Sequence, residues 1–182
     1  MGRFVLVLGL LSGMAEAQAS NTVDWETASQ RWHAWRESRS RFPTAAWSYP
    51  GRYAGTAAAY ETYAGAGLTM VQCTREQVDA ASGAGLGIIL GSWEGLAEPE
   101  NAGKLAEAVE FAGGADRPVA GYMLQDEPLP EDFGDLGRAH GHIYAHDEGG
   151  ALPMVDLFPS YVHRPERRLG MSYRAYVRRY VE

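Results

Sequence analysis

Two adjacent carboxylates, Asp126 and Glu127, close an otherwise apolar run, Gly121-Tyr-Met-Leu-Gln-Asp-Glu-Pro128. Acids at the end of a strand-like segment must be hydrated, paired or engaged in chemistry, because an isolated buried carboxylate is too costly to keep. One chemistry open to such a pair is general acid catalysis, since a neighbouring carboxylate raises the pKa of the first when both face one pocket. Successive strand residues point to opposite faces, so that coupling requires the strand to have ended, which Pro128 favours. The other strand-like segments end in related residue types: Trp47-Ser-Tyr49, Gln72-Cys-Thr74, Gly91-Ser-Trp93-Glu94 and Asp156-Leu-Phe-Pro-Ser-Tyr161. Aromatic rings that stack on sugar faces, beside amides and acids that bond hydroxyls, suit a polyhydroxylated ligand.

Other chemistry-bearing residues read as structural. His142 and His146 have the i, i+4 spacing of zinc sites, but no glutamate sits between them in the His-Glu-x-x-His pattern, and His140 falls on an apolar stripe; no metal is expected. Cys73 is the only cysteine, which excludes an internal disulfide and suits a small buried residue. Gly83-Ala-Gly-Leu-Gly-Ile88 lacks the final glycine of a dinucleotide loop and lies between a helix and a strand instead of after a strand, so no cofactor is expected. A formal net charge of -7 argues against nucleic acid as a partner. The Arg-rich end, with Arg164, Arg167, Arg168, Arg174, Arg178 and Arg179, reads as a solvated helix face.

The elements that must position these residues alternate. Trp25, Ala28, Trp32 and Trp35 make one apolar helical face, and Ala45 to Tyr49 is a strand candidate. The stripe Tyr53, Ala57, Tyr60, Ala64 precedes a strand over Leu68 to Cys73. A capping-box start at Thr74-Arg-Glu-Gln77 opens a short helix before the strand Leu86 to Leu90. The tetrad Gly-Ala-Gly-Leu occurs at both of these helix-to-strand joints. A helix with Leu105, Ala108, Val109 and Ala112 precedes the strand Val119 to Leu124, and a helix with Phe133, Leu136, His140, Ile143 and Tyr144 precedes the strand Leu152 to Phe158. Tyr173, Tyr176, Val177, Tyr180 and Val181 mark a last amphipathic helix. Five strands separated by helices imply an α/β fold with a parallel sheet, either doubly wound or a β/α barrel, with the functional residues at the strand ends.

Before this alternation, Arg3, the apolar stretch Phe4 to Leu11 and the small residues around Ala15 to Ala19 have the form of a cleavable export signal. The stretch is too short to span a bilayer. The expected organisation is a signal peptide over residues 1–19, a helical segment over 20–44 and an α/β domain over 45–182. The mature protein is expected to be secreted or periplasmic and free of the membrane.

From residue 45 onward, Tyr60-Glu-Thr-Tyr-Ala-Gly-Ala-Gly-Leu-Thr-Met-Val-Gln72, Thr74-Arg-Glu-Gln77, Gly121-Tyr-Met-Leu-Gln-Asp-Glu-Pro128 and Met154-Val-Asp-Leu-Phe-Pro159 together resemble secreted glycoside-hydrolase-like (β/α)8 barrels related to retaining β-galactosidases and cellulases. The resemblance implies a TIM barrel, a carbohydrate ligand and Glu127 as the acid/base at the end of the fourth strand. In that family Asn-Glu-Pro is the usual motif, so Asp126 stands where an asparagine contacts the sugar. Trp47, Tyr49, Gln72, Trp93, Glu94, Asp156 and Tyr161 are the expected substrate contacts. The family's nucleophile lies on the seventh strand, whereas about five of eight strands are readable here, which implies a truncated barrel. Alternatives are a non-catalytic carbohydrate-binding protein, an inactive truncated barrel and a polysaccharide lyase.

Overall fold

A computed structural model of the chain describes residues 25–46, 55–91, 95–114, 119–161 and 165–181. The elements are α1 (Trp25–Glu37), β1 (Ala45–Ala46), α2 (Ala57–Gly65), β2 (Met70–Cys73), α3 (Val78–Gly83), β3 (Gly87–Leu90), α4 (Ala102–Ala112), β4 (Val119–Asp126), α5 (Phe133–His146), β5 (Leu152–Asp156), α6 (Pro165–Leu169) and α7 (Tyr173–Val181). The five strands form one parallel sheet in the order β1-β2-β3-β4-β5. An α/β class with a parallel sheet is therefore the observed fold, and the strand order does not reverse among the described residues, as it would in a doubly wound sheet.

Local chemistry sets the joints. The Thr56 hydroxyl accepts from the Ala59 amide at 3.3 Å and caps α2. The capping box expected at Thr74 forms, with Gln77 returning to the Thr74 amide at 3.0 Å; its first turn, Arg75–Gln77, is a 3-10 turn that leads into α3. The repeated Gly-Ala-Gly-Leu tetrad is explained by backbone geometry: Gly67 and Gly85, the second glycine of each copy, have φ of +89° and +77°, a conformation that costs residues with a Cβ.

The sheet separates two cores. On one face Val71, Cys73, Ile88, Leu90, Tyr122 and Leu124 pack against Tyr60 of α2, Val78 and Ala81 of α3, Leu105 and Val109 of α4, and Leu136, Ala139 and Ile143 of α5. On the other face Met70, Ile89, Ala120, Met123 and Leu152 meet Trp35 of α1. Helices α2 to α5 thus share one face, here the helix face, and α1 lies on the opposite, inner face. Cys73 belongs to the helix-face core, where burial pushes its thiol up to about 12 and leaves it protonated at neutral pH.

The tryptophan stripe of α1 divides. Trp35 is buried and donates its indole N–H to the Ala120 carbonyl at 2.6 Å, whereas Trp32, stacked on it at 5.4 Å, remains 46% exposed. A single stripe expected to be packed therefore has one anchor and one open ring.

A buried polar network fastens α1 to the rest of the chain. Asp147, at the end of α5, accepts from Arg31 of α1, from the Tyr122 hydroxyl at 2.8 Å and from the Ala151 amide at 2.8 Å. Arg31 also donates to the Asp147 carbonyl at 2.7 Å and lies 4.8 Å above the Tyr144 ring. The Asp147 side chain is 1% exposed, so among the described residues these partners compensate its charge. Asp147→Ala is expected to lower the unfolding free energy by about 3–5 kcal/mol, because it strands the Arg31 charge and the Tyr122 hydroxyl in the interior. Urea denaturation of the two proteins at neutral pH checks this; Tyr122→Phe, which removes one neutral donor, is expected to cost only about 1 kcal/mol.

Candidate functional site

Strand β4 does not alternate evenly, and its irregularities decide where the acids go. Ile88 pairs with Val119 but Ile89 with Gly121, which makes Ala120 an extra residue against β3. Met123 pairs with Met154 but Gln125 with Val155, which makes Leu124 an extra residue against β5. Each bulge reverses the alternation beyond it. Met123 belongs to the inner core and Leu124 to the helix-face core, so without the second bulge Gln125 would face inward and Asp126 toward the helices. With it, Gln125 pairs with the helix-face residue Val155 and donates to Asp132, at the start of α5, at 3.0 Å. Asp126 then lies opposite Asp156 in register, on the inner face at the carboxyl end of the strands.

The strand thus continues through Gln125 and Asp126, two residues beyond the expected end. The charge coupling moves with it. Asp156 has its pKa raised by partial burial and by Asp126 across the ladder, so the like-charge pair in the structure is Asp126 with Asp156, on neighbouring strands.

Glu127 follows in a different conformation. It is the one described non-glycine residue with positive φ, at +47°, where a Cβ costs about 1–2 kcal/mol. Three contacts hold it. Its amide donates to the Asp156 carbonyl at 2.8 Å, its carboxylate accepts from Arg168 of α6 at 3.3 Å, and the next carbonyl, that of Pro128, accepts from the buried Tyr176 hydroxyl of α7 at 2.8 Å. Arg168 is itself laid over the Phe158 ring at 4.4 Å, and Phe158, Leu169 and Tyr176 form a small core beneath it. Asp132 completes the loop after β4 by accepting from the Leu129 amide at 2.7 Å. The left-handed turn directs the Glu127 carboxylate to the rim, where its side chain is 36% exposed.

Of the remaining expected contacts, Gln72 lies on the inner face of β2, paired with Ile89, and is buried; its amide donates to the Gly91 carbonyl at 3.4 Å, and its oxygen has no partner among the described residues. Tyr161 is 86% exposed beyond β5, an open ring. Trp47, Tyr49, Trp93 and Glu94 lie outside the described residues. Gln72, Asp126, Glu127 and Asp156 are therefore gathered at the carboxyl ends of β2, β4 and β5. Gln125, Asp132, Phe158, Arg168 and Tyr176, which hold Glu127 and its loop, were not among the expected site residues. The Arg-rich end contained the signal for Arg168, but spacing within a helix says nothing about a partner 41 residues upstream.

No group of three or more metal-ligating side chains occurs among the described residues. His142 and His146 lie with ring centroids 4.6 Å apart on α5, and burial pushes His140 down to about 4, so it is neutral in its helix. No described helix is long and apolar enough to cross a membrane. Comparison with family models, with curated proteins and with solved structures finds no match to this chain.

Three outcomes follow from the geometry. Glu127→Gly is expected to be more stable than Glu127→Ala by about 1 kcal/mol, since both remove the carboxylate and only glycine relieves the left-handed backbone; denaturant midpoints of the pair check it. Asp126→Asn is expected to lower the pKa of Asp156 toward the ordinary aspartate value, leaving the part caused by burial, as followed by carboxyl carbon NMR. With a folded pKa above the unfolded one, the native state holds this proton more tightly. Stability is then favoured at low pH, and it declines as pH rises from the ordinary value through the raised one. Asp156→Asn is accordingly expected to stabilise more at neutral pH than at acidic pH, where the Asp156 carboxyl is protonated.

Proposed function

We propose that the chain is a glycoside-hydrolase-like protein, the five-stranded part of a (β/α)8 barrel, that acts on a carbohydrate with Glu127 as general acid/base. The observation that carries this reading is the strained placement of Glu127, because a left-handed non-glycine residue persists only where its surroundings over-determine it, and such residues cluster at functional sites. The sequential strand order and the grouping of α2 to α5 on one face support a singly wound barrel over a sheet that reverses. Asp126 and Asp156, opposite each other at the ends of β4 and β5, and Gln72 at the end of β2 are the acceptors and donors that this reading assigns to sugar hydroxyls. Asp126, in place of the family's asparagine, accepts from a hydroxyl instead of donating to it. The signal-like residues 1–19 support export to the periplasm or beyond.

In this reading Glu127 delivers a proton to the glycosidic oxygen as the bond breaks; a retaining mechanism also needs a carboxylate nucleophile about 5–5.5 Å away, which the resemblance assigns to a seventh strand and not to the five described here. Arg168 contacts one oxygen of Glu127, Oε2, and leaves the other to carry the proton. The same contact favours a second reading, carbohydrate binding without turnover, in which Arg168 stays in place and the rim serves as a ligand platform.

Aryl glycosides of common neutral sugars, assayed with the wild-type chain and with Glu127→Gln, separate the readings. The catalytic reading expects activity that falls by about 10²-fold or more in the variant. Activity that survives the substitution removes Glu127 from the acid/base role. Binding of the same glycosides by both proteins with no turnover in either supports the platform.

A further inference from the structure

We propose that His142 and His146, one turn apart on α5, form a two-point chelate for a divalent transition-metal ion, Cu(II) in preference to Ni(II) or Zn(II). The pair lies away from the strand-end rim and is independent of the carbohydrate reading.

Residues four apart on a helix stand one above the other, and here the two imidazoles are in contact, with ring centroids 4.6 Å apart and planes inclined at 46°. That separation bears on which ion fits. With a metal–nitrogen bond of about 2.0 Å, an ion lies about 3.1 Å from each ring centroid, so rings this close subtend about 95° at the metal. Neighbouring positions of a square-planar or tetragonal ion are about 90° apart, which suits Cu(II) or Ni(II), whereas the wider tetrahedral angle of zinc would spread the centroids to about 5 Å. The general order of affinities places Cu(II) above both.

The helix supplies a rigid base for the pair. Ala139 and Ile143, on the same turns, are buried in the helix-face core, so the backbone that carries both rings is fixed before an ion arrives. His142 is half-buried and His146 exposed, which holds one ligand in place and leaves the other able to turn toward a shared ion, with solvent in the remaining positions. Both lie at the carboxyl end of α5, where the helix dipole favours a cation. The neighbouring charges do not oppose one. Arg138, one turn before His142, is paired with Asp135, and Glu148, two residues beyond His146, is an exposed carboxylate.

The missing glutamate that argues against a protease-type zinc centre has no bearing here, because a chelate needs only two ligands at helical spacing and no general base. Among the described residues no third ligand joins the pair. The coordination sphere is therefore open to ligands from solution, unlike that of a closed structural site.

The test uses the full chain, freed of metal, with Cu(II) alone as the probe in a buffer that does not coordinate it. Amide NMR is expected to show paramagnetic broadening centred on α5 around His142 and His146 at substoichiometric Cu(II), and electron paramagnetic resonance a tetragonal signal with two nitrogen ligands. His142→Asn and His146→Asn are each expected to weaken binding at this site about tenfold or more, since either leaves a single bond. His33→Asn, on α1, is expected to leave the affinity unchanged. Zn(II) is expected to need a higher concentration to shift the same amides, and equal or tighter Zn(II) binding would overturn the choice of metal. The wild-type spectra locate the ion without any variant, so the question stays answerable if a substituted helix fails to form. Broadening centred elsewhere would overturn the site. So would a Cu(II) affinity unchanged in the double variant His142→Asn/His146→Asn, which would leave the two rings as a packing contact alone.

Discussion

The ladder between β4 and β5, with one residue too many on the β4 side, is the constraint from which the rest of the site follows. A sheet residue has only two faces to choose from, and the extra Leu124 exchanges them for everything downstream. Gln125 turns to the helices and holds Asp132, while Asp126 turns inward opposite Asp156. The close approach of the strands depends on Gly121, where a Cβ would sit 2.7 Å from the Leu152 carbonyl oxygen and 2.6 Å from the end of Met154. A side chain there would push β5 away and loosen the pairing that sets the register.

The same ladder explains why the end of the chain matters to a residue in its middle. Glu127 is held in the left-handed region by a hydrogen bond to Asp156, and its loop is clamped from the other side by Arg168 and Tyr176. Neither clamp is strong alone, because Arg168 and Glu127 are both partly solvated and exposed pairs contribute at most about 1 kcal/mol. Together with the small core of Phe158, Leu169 and Tyr176 they offset a backbone cost of similar size. The stronger fastening lies away from the rim, where Arg31, Asp147, Tyr122 and Ala151 tie α1 to the β4-α5-β5 unit. Stability is thus concentrated in a buried network, while the rim keeps the strain.

Much of this architecture was legible in the sequence because it rests on local rules. The helix stripe around Leu105 and Val109, the capping box at Thr74 and the Gly-Ala-Gly-Leu joints each depend on neighbours within a few residues. The illegible features depend on pairing. A bulge at Leu124 leaves no mark in an apolar run where every residue suits either face, so the coupling of Asp126 with Asp156 instead of Glu127 was not readable. Trp32 and Trp35 share a helical stripe, yet docking of α1 on the sheet, with Trp35 bonded to the Ala120 carbonyl, decides which is buried. Arg168 was visible as one of six arginines, but its carboxylate partner is set by the docking of α6 against the end of β4.

The central claim is that the carboxyl ends of β4 and β5 form one carbohydrate-binding rim around Glu127. Titration of the isotopically labelled protein with neutral disaccharides, followed residue by residue in amide NMR spectra, tests it most directly. Saturable shifts concentrated at Gln125 to Leu129 and at Asp156 to Tyr161 are the predicted result. Shifts confined to residues away from the rim, or none at all at saturating sugar, would contradict it.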